Sequence, residues 1–268
     1  MTSLPSITVK RLISDVKYLL ENPLDSEKIF YYHDEENILV GYALIIGSKN
    51  TPYENGNYLF KFNFPNNYPF SPPKVEYYTN DGRTRFNPNL YINRYVCLSI
   101  LNTWKGEGWT SCQSIYSILL TIQSILNEKP LTNEPGFDEN HKNVKNYNNV
   151  LTYKNFEFTI LKFVKFIIYS FIKNNTYENE EKIINYDINN LEFLKIYSKF
   201  FKNILTNFYN NIENFDKLLE NDLFNESVLF CSTYSLNVKV IDKNILKNKL
   251  LKYKKLIEKY NIIEHIDN

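Results

Sequence analysis

Cysteine, methionine and glycine are scarce in this chain, and net charge is almost absent. Of 268 residues, three are Cys, one is Met and seven are Gly, and 31 Lys and Arg stand against 30 Asp and Glu. The cysteines, Cys97, Cys112 and Cys231, are far apart and odd in number. They give no disulfide framework and fit a reducing compartment. No CxxC pair occurs, which removes thioredoxin-like and zinc-ribbon readings, and no metal is expected. The charge balance argues against a polyanion binder, so no nucleic-acid partner is expected. The most apolar run, residues 156–172, falls short of the roughly 20 residues a membrane span needs, and it contains Glu157, Lys162 and Lys165. It reads as a buried amphipathic helix. The opening MTSLPSITVKRLISDV lacks the apolar core of a secretory signal. A soluble intracellular protein with no membrane partner is expected.

What the chain does have is aromatic and apolar bulk: 22 Tyr, 19 Phe and 43% hydrophobic residues. That suffices for one domain of about 150 residues and an extension. Residues 6–21 place Ile7, Leu12, Ile13, Val16, Leu19 and Leu20 near helical spacing, with Lys10, Arg11 and Lys17 off that stripe. Strand-like segments follow at 29–32, 39–46 and 58–64, separated by polar turns, and a short one at 75–78. This order predicts an antiparallel meander. In NYPFSPPKVEYY the clustered prolines forbid helix and central strand, so the chain must cross there as an extended loop. Residues 110–127 predict a helix with Thr110 or Ser111 as its N-cap and Cys112 in its first turn. Beyond about residue 138 the pattern is helical, with helices predicted near 150–174, 188–212 and 243–260; 228–240 is ambiguous and has room for a short strand.

Cys97 has an unusual setting. A Pro-fixed turn, Asn87-Pro88-Asn89, precedes it, and a loop of Thr, Lys, Gly, Glu and Trp follows. Such loops lie at surfaces. A hydrolytic cysteine needs a histidine base. The chain has only His33, His141 and His265, none in this stretch. A cysteine that accepts an acyl group from another thioester needs a base less, because the exchange is nearly isoenergetic and thiolate is accessible near neutral pH. It does need a donor for the tetrahedral oxyanion, and an Asn held by a Pro turn supplies one worth roughly 3 kcal/mol.

YPFSPPKV (68–75), FNPN (86–89), VCLSIL (96–101), Trp109 and LLTIQSIL (119–126) recur in order and at the spacing of a known family. Over about residues 6–137 the chain resembles the ubiquitin-conjugating enzymes. The resemblance implies the α+β fold of that family: an N-terminal helix, a four-stranded antiparallel meander, the Cys in a long extended segment, then helices. Residues 1–150 are expected to be the catalytic domain, and 151–268, too apolar and too regularly patterned for a disordered tail, a mostly helical extension packed on it. A narrower similarity, in NPNLY, CLSILNTW and NEPGF (133–137), is to the large subgroup called the Z type.

The implied chemistry runs through Cys97. Ubiquitin, or a ubiquitin-like protein, arrives as a thioester on an activating enzyme, passes to Cys97, and leaves to a substrate lysine or a ligase cysteine. Asn89 matches the family residue that stabilises the oxyanion or braces the loop. Asn87 stands where the family has His, which puts turn rigidity in question. Pro88, Tyr91 and Trp109 are implied as structural residues of the site. Glu134 lies where an acidic residue orients the incoming lysine. Pro69 and Phe70, with Thr110 and Ser111, match loops that contact RING-type ligases, and Lys10, Arg11 and Lys17 would face the activating enzyme. No bound cofactor is implied, since ATP is consumed by the activating enzyme. A monomer acting in the cytoplasm, with a nuclear share, is expected. The alternative is a catalytically inactive variant of the same fold that binds ubiquitin or a ligase.

Overall fold

The computed structural model describes residues 5–174 and 198–266. They fall into two compact units. One comprises the described residues up to Glu54 together with Tyr58–Val144, and the other Asn55–Asn57 with the described residues from Lys145 onward. The family fold implied by the sequence is present, with its N-terminal helix, antiparallel sheet and further helices.

The first unit opens with α1 (Ser6–Glu21). Four strands follow, β1 (Ile29–His33), β2 (Val40–Ile46), β3 (Asn57–Asn63) and β4 (Lys74–Tyr77), in the spatial order of the chain. This is the predicted meander. Ile29 faces Ile45 and His33 faces Gly41, while Phe60 faces Tyr77 and Asn63 faces Lys74. The middle strands are buried almost end to end, as their Val, Ile, Leu, Tyr and Phe content requires. Gly47, just past β2, is needed because a Cβ there would meet the Tyr53 carbonyl oxygen at 1.8 Å.

α1 corrects the predicted stripe. Ile7, Ile13 and Leu20 are exposed, Leu20 to 77%, and the buried residues are Thr8, Leu12, Asp15 and Leu19. Buried Asp15 turns the face. It accepts from Arg11 Nε at 2.8 Å and from the Tyr68 hydroxyl. Burial, with this bond to Asp15, pushes the Tyr68 hydroxyl's pKa far above the ordinary tyrosine value. An ion pair satisfied this way can sit where an apolar residue was expected.

The helix predicted over 110–127 is shorter. As α2 it spans Ile115–Ile125, and Ser114 is its N-cap: the Ser114 side chain accepts from Ser117 N while Ser117 Oγ accepts from Ser114 N. Thr110, Ser111 and Cys112 stay outside it in an exposed loop.

In the second unit, α3 (Asn143–Lys154), a π-helical stretch (Asn155–Lys162) and α4 (Phe163–Asn174) run on without a break. The start lies seven residues before the predicted one, in Asn-rich sequence of poor helix propensity; buried Val144 and Tyr147 anchor it. The 156–172 run is mostly buried, and among the described residues no helix is long and apolar enough to cross a membrane. Of the helix predicted over 188–212, the part before residue 198 lies outside the described residues; the rest is α5 (Phe201–Asn210), followed by α6 (Ile212–Leu218). Phe156, Phe208, Phe215 and Phe224 form this unit's aromatic core, with ring centroids 5.7–5.9 Å apart. The ambiguous 228–240 segment is a hairpin of β5 (Val228–Cys231) and β6 (Leu236–Lys239). Its turn puts Tyr234 and Ser235 at positive φ without glycine or asparagine, so the usual hairpin signal is missing. α7 (Lys243–Lys259) and α8 (Ile262–His265) complete the described chain.

Candidate active site

After β4 the chain makes no regular strand. It folds on itself in narrow bridges: Glu76 pairs with Tyr95, Leu90 with Val96, and Asn87 with Leu90. These set the Asn87-Pro88-Asn89 turn against Cys97. Cys97 N donates to Asn89 O at 2.9 Å, and Asn89 Nδ2 donates to Cys97 O at 2.7 Å. The amide orientation is fixed by that second bond, since the opposite one would face two oxygens. Asn89 Oδ1 is buried and has no hydrogen-bond partner.

The turn is rigid although it has Asn87 in place of a histidine. Asn87 is fully buried, and its Nδ2 donates to the Tyr53 hydroxyl at 2.9 Å and to Ile125 O at 2.7 Å. Its Oδ1 accepts from Asn89 N at 2.9 Å, and the Tyr53 hydroxyl donates in turn to Phe86 O at 2.7 Å. Arg85 clamps the outside: Nε donates to Asn87 O at 3.1 Å and an Nη to Pro88 O at 2.5 Å. Its guanidinium lies 3.3 Å from the Tyr91 ring centroid, which gives Tyr91 its structural place in the site. Pro88 itself is buried.

Cys97 is only 5% exposed, less than a surface loop suggests. Its Sγ donates to Thr103 O at 3.3 Å. The Thr103 hydroxyl accepts from Leu98 N at 2.8 Å and has Val96 O and Leu98 O within 3.0 Å as acceptors, so this side chain closes the loop around the thiol. Burial pushes the thiol pKa up, Arg85 opposes this, and Glu134 adds to it. The expectation of an accessible thiolate is therefore corrected: desolvation outweighs the single nearby cation. Glu134 follows a 3₁₀ turn (Pro130–Asn133) and is close enough for its charge to act on the thiol. Among the described residues no histidine serves Cys97. His33 bonds Tyr31 and Ile38 O, and His141 accepts from Asn143 N.

The remaining predicted residues divide. Lys10 and Lys17 are exposed, but Arg11 is turned inward. Besides Asp15 it donates to Ser111 O at 2.5 Å and to Gln113 O, and it lies 5.6 Å over the Tyr68 ring, so it is not a free contact residue. Phe70 is 64% exposed; Pro69 is buried and gives its carbonyl to Trp109 Nε1 at 2.6 Å. Trp109 thus braces the proline loop and packs on Tyr68 (5.8 Å), and it makes no bond to Cys97. Thr110 and Ser111 are exposed. Sequence reasoning missed Arg85, Thr103 and Tyr53. Arg85 stands two residues before the turn in TRFNPN, where a cation beside a cysteine motif was a usable signal. Thr103 and Tyr53 carry none, because only folding brings them to Cys97 and Asn87. No group of His, Cys, Asp and Glu among the described residues is arranged to hold a metal.

A family model described as Ubiquitin-conjugating enzyme matches residues 7–157. The chain is 42% identical over 149 residues to Ubiquitin-conjugating enzyme E2 Z of Xenopus tropicalis, a match covering 54% of this chain and 47% of that protein. To Ubiquitin-conjugating enzyme E2 Z of Homo sapiens it is 43% identical over 147 residues, covering 54% and 41%. To the human Dual E2 ubiquitin-conjugating enzyme/E3 ubiquitin-protein ligase BIRC6 it is 45% identical over 119 residues, covering 42% of this chain and 2% of that protein. In each case the match spans less than half of the relative's own length.

Proposed function

Because the chain belongs to the ubiquitin-conjugating enzyme family, we propose that Cys97 accepts ubiquitin, or a ubiquitin-like protein, as a thioester from an activating enzyme and passes it to a substrate lysine with the help of a ligase. The observation that carries this reading is the closed pairing of Asn89 with Cys97. It holds the Asn89 amide nitrogen at the Cys97 backbone, and an amide nitrogen has two hydrogens. One is taken by Cys97 O. The other serves the oxyanion of the tetrahedral intermediate, a contribution of roughly 3 kcal/mol in a preorganised site.

In the loading step the Cys97 sulfur attacks the incoming thioester carbonyl, a new C–S bond forms, and the activating enzyme's thiolate leaves. The Cys97 proton, hydrogen-bonded to Thr103 O in the resting thiol, passes to solvent or to the leaving thiolate. In the second step a neutral lysine amine attacks, the C–N bond forms, the C–S bond breaks, and the amine proton balances the thiolate that departs. Free lysine has a pKa of about 10.4. Glu134 attracts and orients the side chain, while desolvation at the closed site favours the neutral amine. Lys10 and Lys17 are left as contacts for the activating enzyme, and Phe70, Thr110 and Ser111 as contacts for a ligase of the RING type or another. On this reading the chain binds no cofactor and works as a monomer in the cytoplasm and nucleus. A second reading, a binding-only variant, draws on the near-complete burial and raised pKa of the Cys97 thiol.

A charging assay separates the two. The protein is mixed with ubiquitin, ATP and each type of activating enzyme, and run on a non-reducing gel. A thiol-sensitive adduct is expected, absent in Cys97→Ala and thiol-resistant in Cys97→Ser. No adduct with ubiquitin or with a panel of ubiquitin-like proteins refutes the carrier role.

A further inference from the structure

The Thr103 carbonyl that receives the Cys97 thiol has a second donor. The Tyr95 hydroxyl donates to the same oxygen at 3.2 Å, against 3.3 Å for Cys97 Sγ. A carbonyl oxygen has two lone pairs, so both are taken in the resting protein. Tyr95 is 42% exposed, yet it is anchored. Its N–H donates to Asn93 Oδ1 at 3.2 Å, and its carbonyl accepts from Tyr91 N at 2.9 Å. Its ring meets the Tyr91 ring edge to face, with centroids 5.6 Å apart, and Tyr91 in turn carries the Arg85 guanidinium. The hydroxyl is thus tied to the same turn that holds Cys97.

The balance at Thr103 O changes when Cys97 carries an acyl group. The sulfur's hydrogen is replaced by carbon, so the sulfur no longer donates. Among the described residues the Tyr95 hydroxyl is then the one side chain that still does. Without it both lone pairs fall to water, because a carbonyl is rarely left unpaired. Water bound there stands beside the bond it can cleave. Its oxygen attacks the thioester carbon, a C–O bond forms, the C–S bond breaks, and a water proton passes to the departing sulfur. The acyl group is lost as a free carboxylic acid. The Thr103 hydroxyl cannot replace Tyr95 here, since its own bonds run to Leu98 N, Val96 O and Leu98 O.

We propose that Tyr95 is a positioning residue of the charged state. Through the Thr103 carbonyl it keeps the loop closed and water away from the thioester once Cys97 has lost its own donor. This deepens the thioester reading and rests on it. In the resting protein two donors hold Thr103 O, so the loss of Tyr95 is felt least there. In the charged protein it is the remaining donor, and its loss is felt most. That asymmetry separates Tyr95 from a residue that merely supports the loop, whose removal would weaken both states alike.

Two measurements test it. In the first, the protein is charged with ubiquitin, ATP and an activating enzyme, and the adduct is separated. Its decay in buffer without lysine or ligase is followed on non-reducing gels. Tyr95→Phe keeps the ring and its Tyr91 contact. Decay in this variant is expected to be about fivefold faster, the effect of one ordinary hydrogen bond, and to change by a larger factor than charging slows. Decay within about twofold of the unaltered adduct would overturn the assignment. So would charging slowed as much as decay is sped. The second measurement needs no ubiquitin. Cys97→Ala removes the sulfur's donor, and hydrogen exchange at Leu98 N reports whether the loop is closed, since that group is bonded to the Thr103 hydroxyl. Exchange in Tyr95→Phe combined with Cys97→Ala is expected to exceed the product of the single effects about fivefold, because each single variant leaves Thr103 O one donor. Independent effects would overturn the assignment and leave the carrier role intact. If no adduct forms at all, the thioester reading fails and takes this one with it.

Discussion

Replacing Asn87 with alanine tests the closed turn at Cys97 directly. Three hydrogen bonds disappear: Nδ2 to the Tyr53 hydroxyl, Nδ2 to Ile125 O, and Asn89 N to Oδ1. At about 1 kcal/mol net for each, the sum is about 3 kcal/mol. The partners fare differently. Ile125 O still accepts from Asn133 Nδ2 at 3.0 Å, and the Tyr53 hydroxyl still donates to Phe86 O. Asn89 N–H alone is orphaned, and an orphaned buried donor costs about 1–3 kcal/mol by itself. The figure of about 3 kcal/mol is therefore the upper end of the expected cost. The chain's two tryptophans are Trp104 and Trp109, both in the first unit, so tryptophan fluorescence reads that unit's unfolding. With a urea m-value of about 2 kcal/mol per molar, the midpoint should fall by up to about 1.5 M at unchanged slope. Charging at Cys97 should slow as well, because Asn89 loses the bond that orients its backbone. A midpoint shift under about 0.5 M would refute the reasoning and leave Arg85 as what holds the turn.

Alkylation of Cys97 by iodoacetamide should rise with pH to a midpoint above that of an ordinary thiol, because burial disfavours the thiolate. Arg85→Gln removes the opposing cation and should move the midpoint up; Glu134→Gln removes a like charge and should move it down, so shifts of the opposite sign would contradict the assignment. Thr103→Val deprives Leu98 N–H of its acceptor and should cost about 1–2 kcal/mol, read by the same fluorescence titration, with slower charging. Arg11→Ala leaves Asp15 buried beside Tyr68 without its cation and should cost about 2–3 kcal/mol, whereas Lys10→Ala and Lys17→Ala should stay within about 0.5 kcal/mol. Equal effects at all three positions would contradict the inward turn of Arg11.

Local chemistry alone determined a good deal of this protein. The β-branched and aromatic runs between polar turns defined four strands, because period and propensity are local. The prolines of YPFSPP fixed a loop, and the ordered motifs around FNPN and VCLSIL identified the family and its cysteine. Errors came where a long-range partner overrode a local rule. Asp15 is buried because Arg11 and Tyr68 neutralise it, so the inner face of α1 is not the apolar stripe. Thr110 had the right chemistry for an N-cap, but the cap is Ser114, four residues on, in a reciprocal pair with Ser117. The hairpin at Val228–Lys239 turns through Tyr234 and Ser235 at positive φ, a conformation that composition does not announce.

The site shows the same division. That Cys97 and Asn89 belong together followed from the family resemblance carried by FNPN and VCLSIL. That Tyr53 and Ile125 hold Asn87 is a matter of contacts across tens of residues; that Arg85 clamps the turn and Thr103 O receives the thiol involves residues near in sequence but depends on how the loop closes. Chain order does not encode such distances; packing does. The reactivity of the thiol is likewise a tertiary property, because a pKa depends on the burial and charge around the group, and these exist only once the loop has closed.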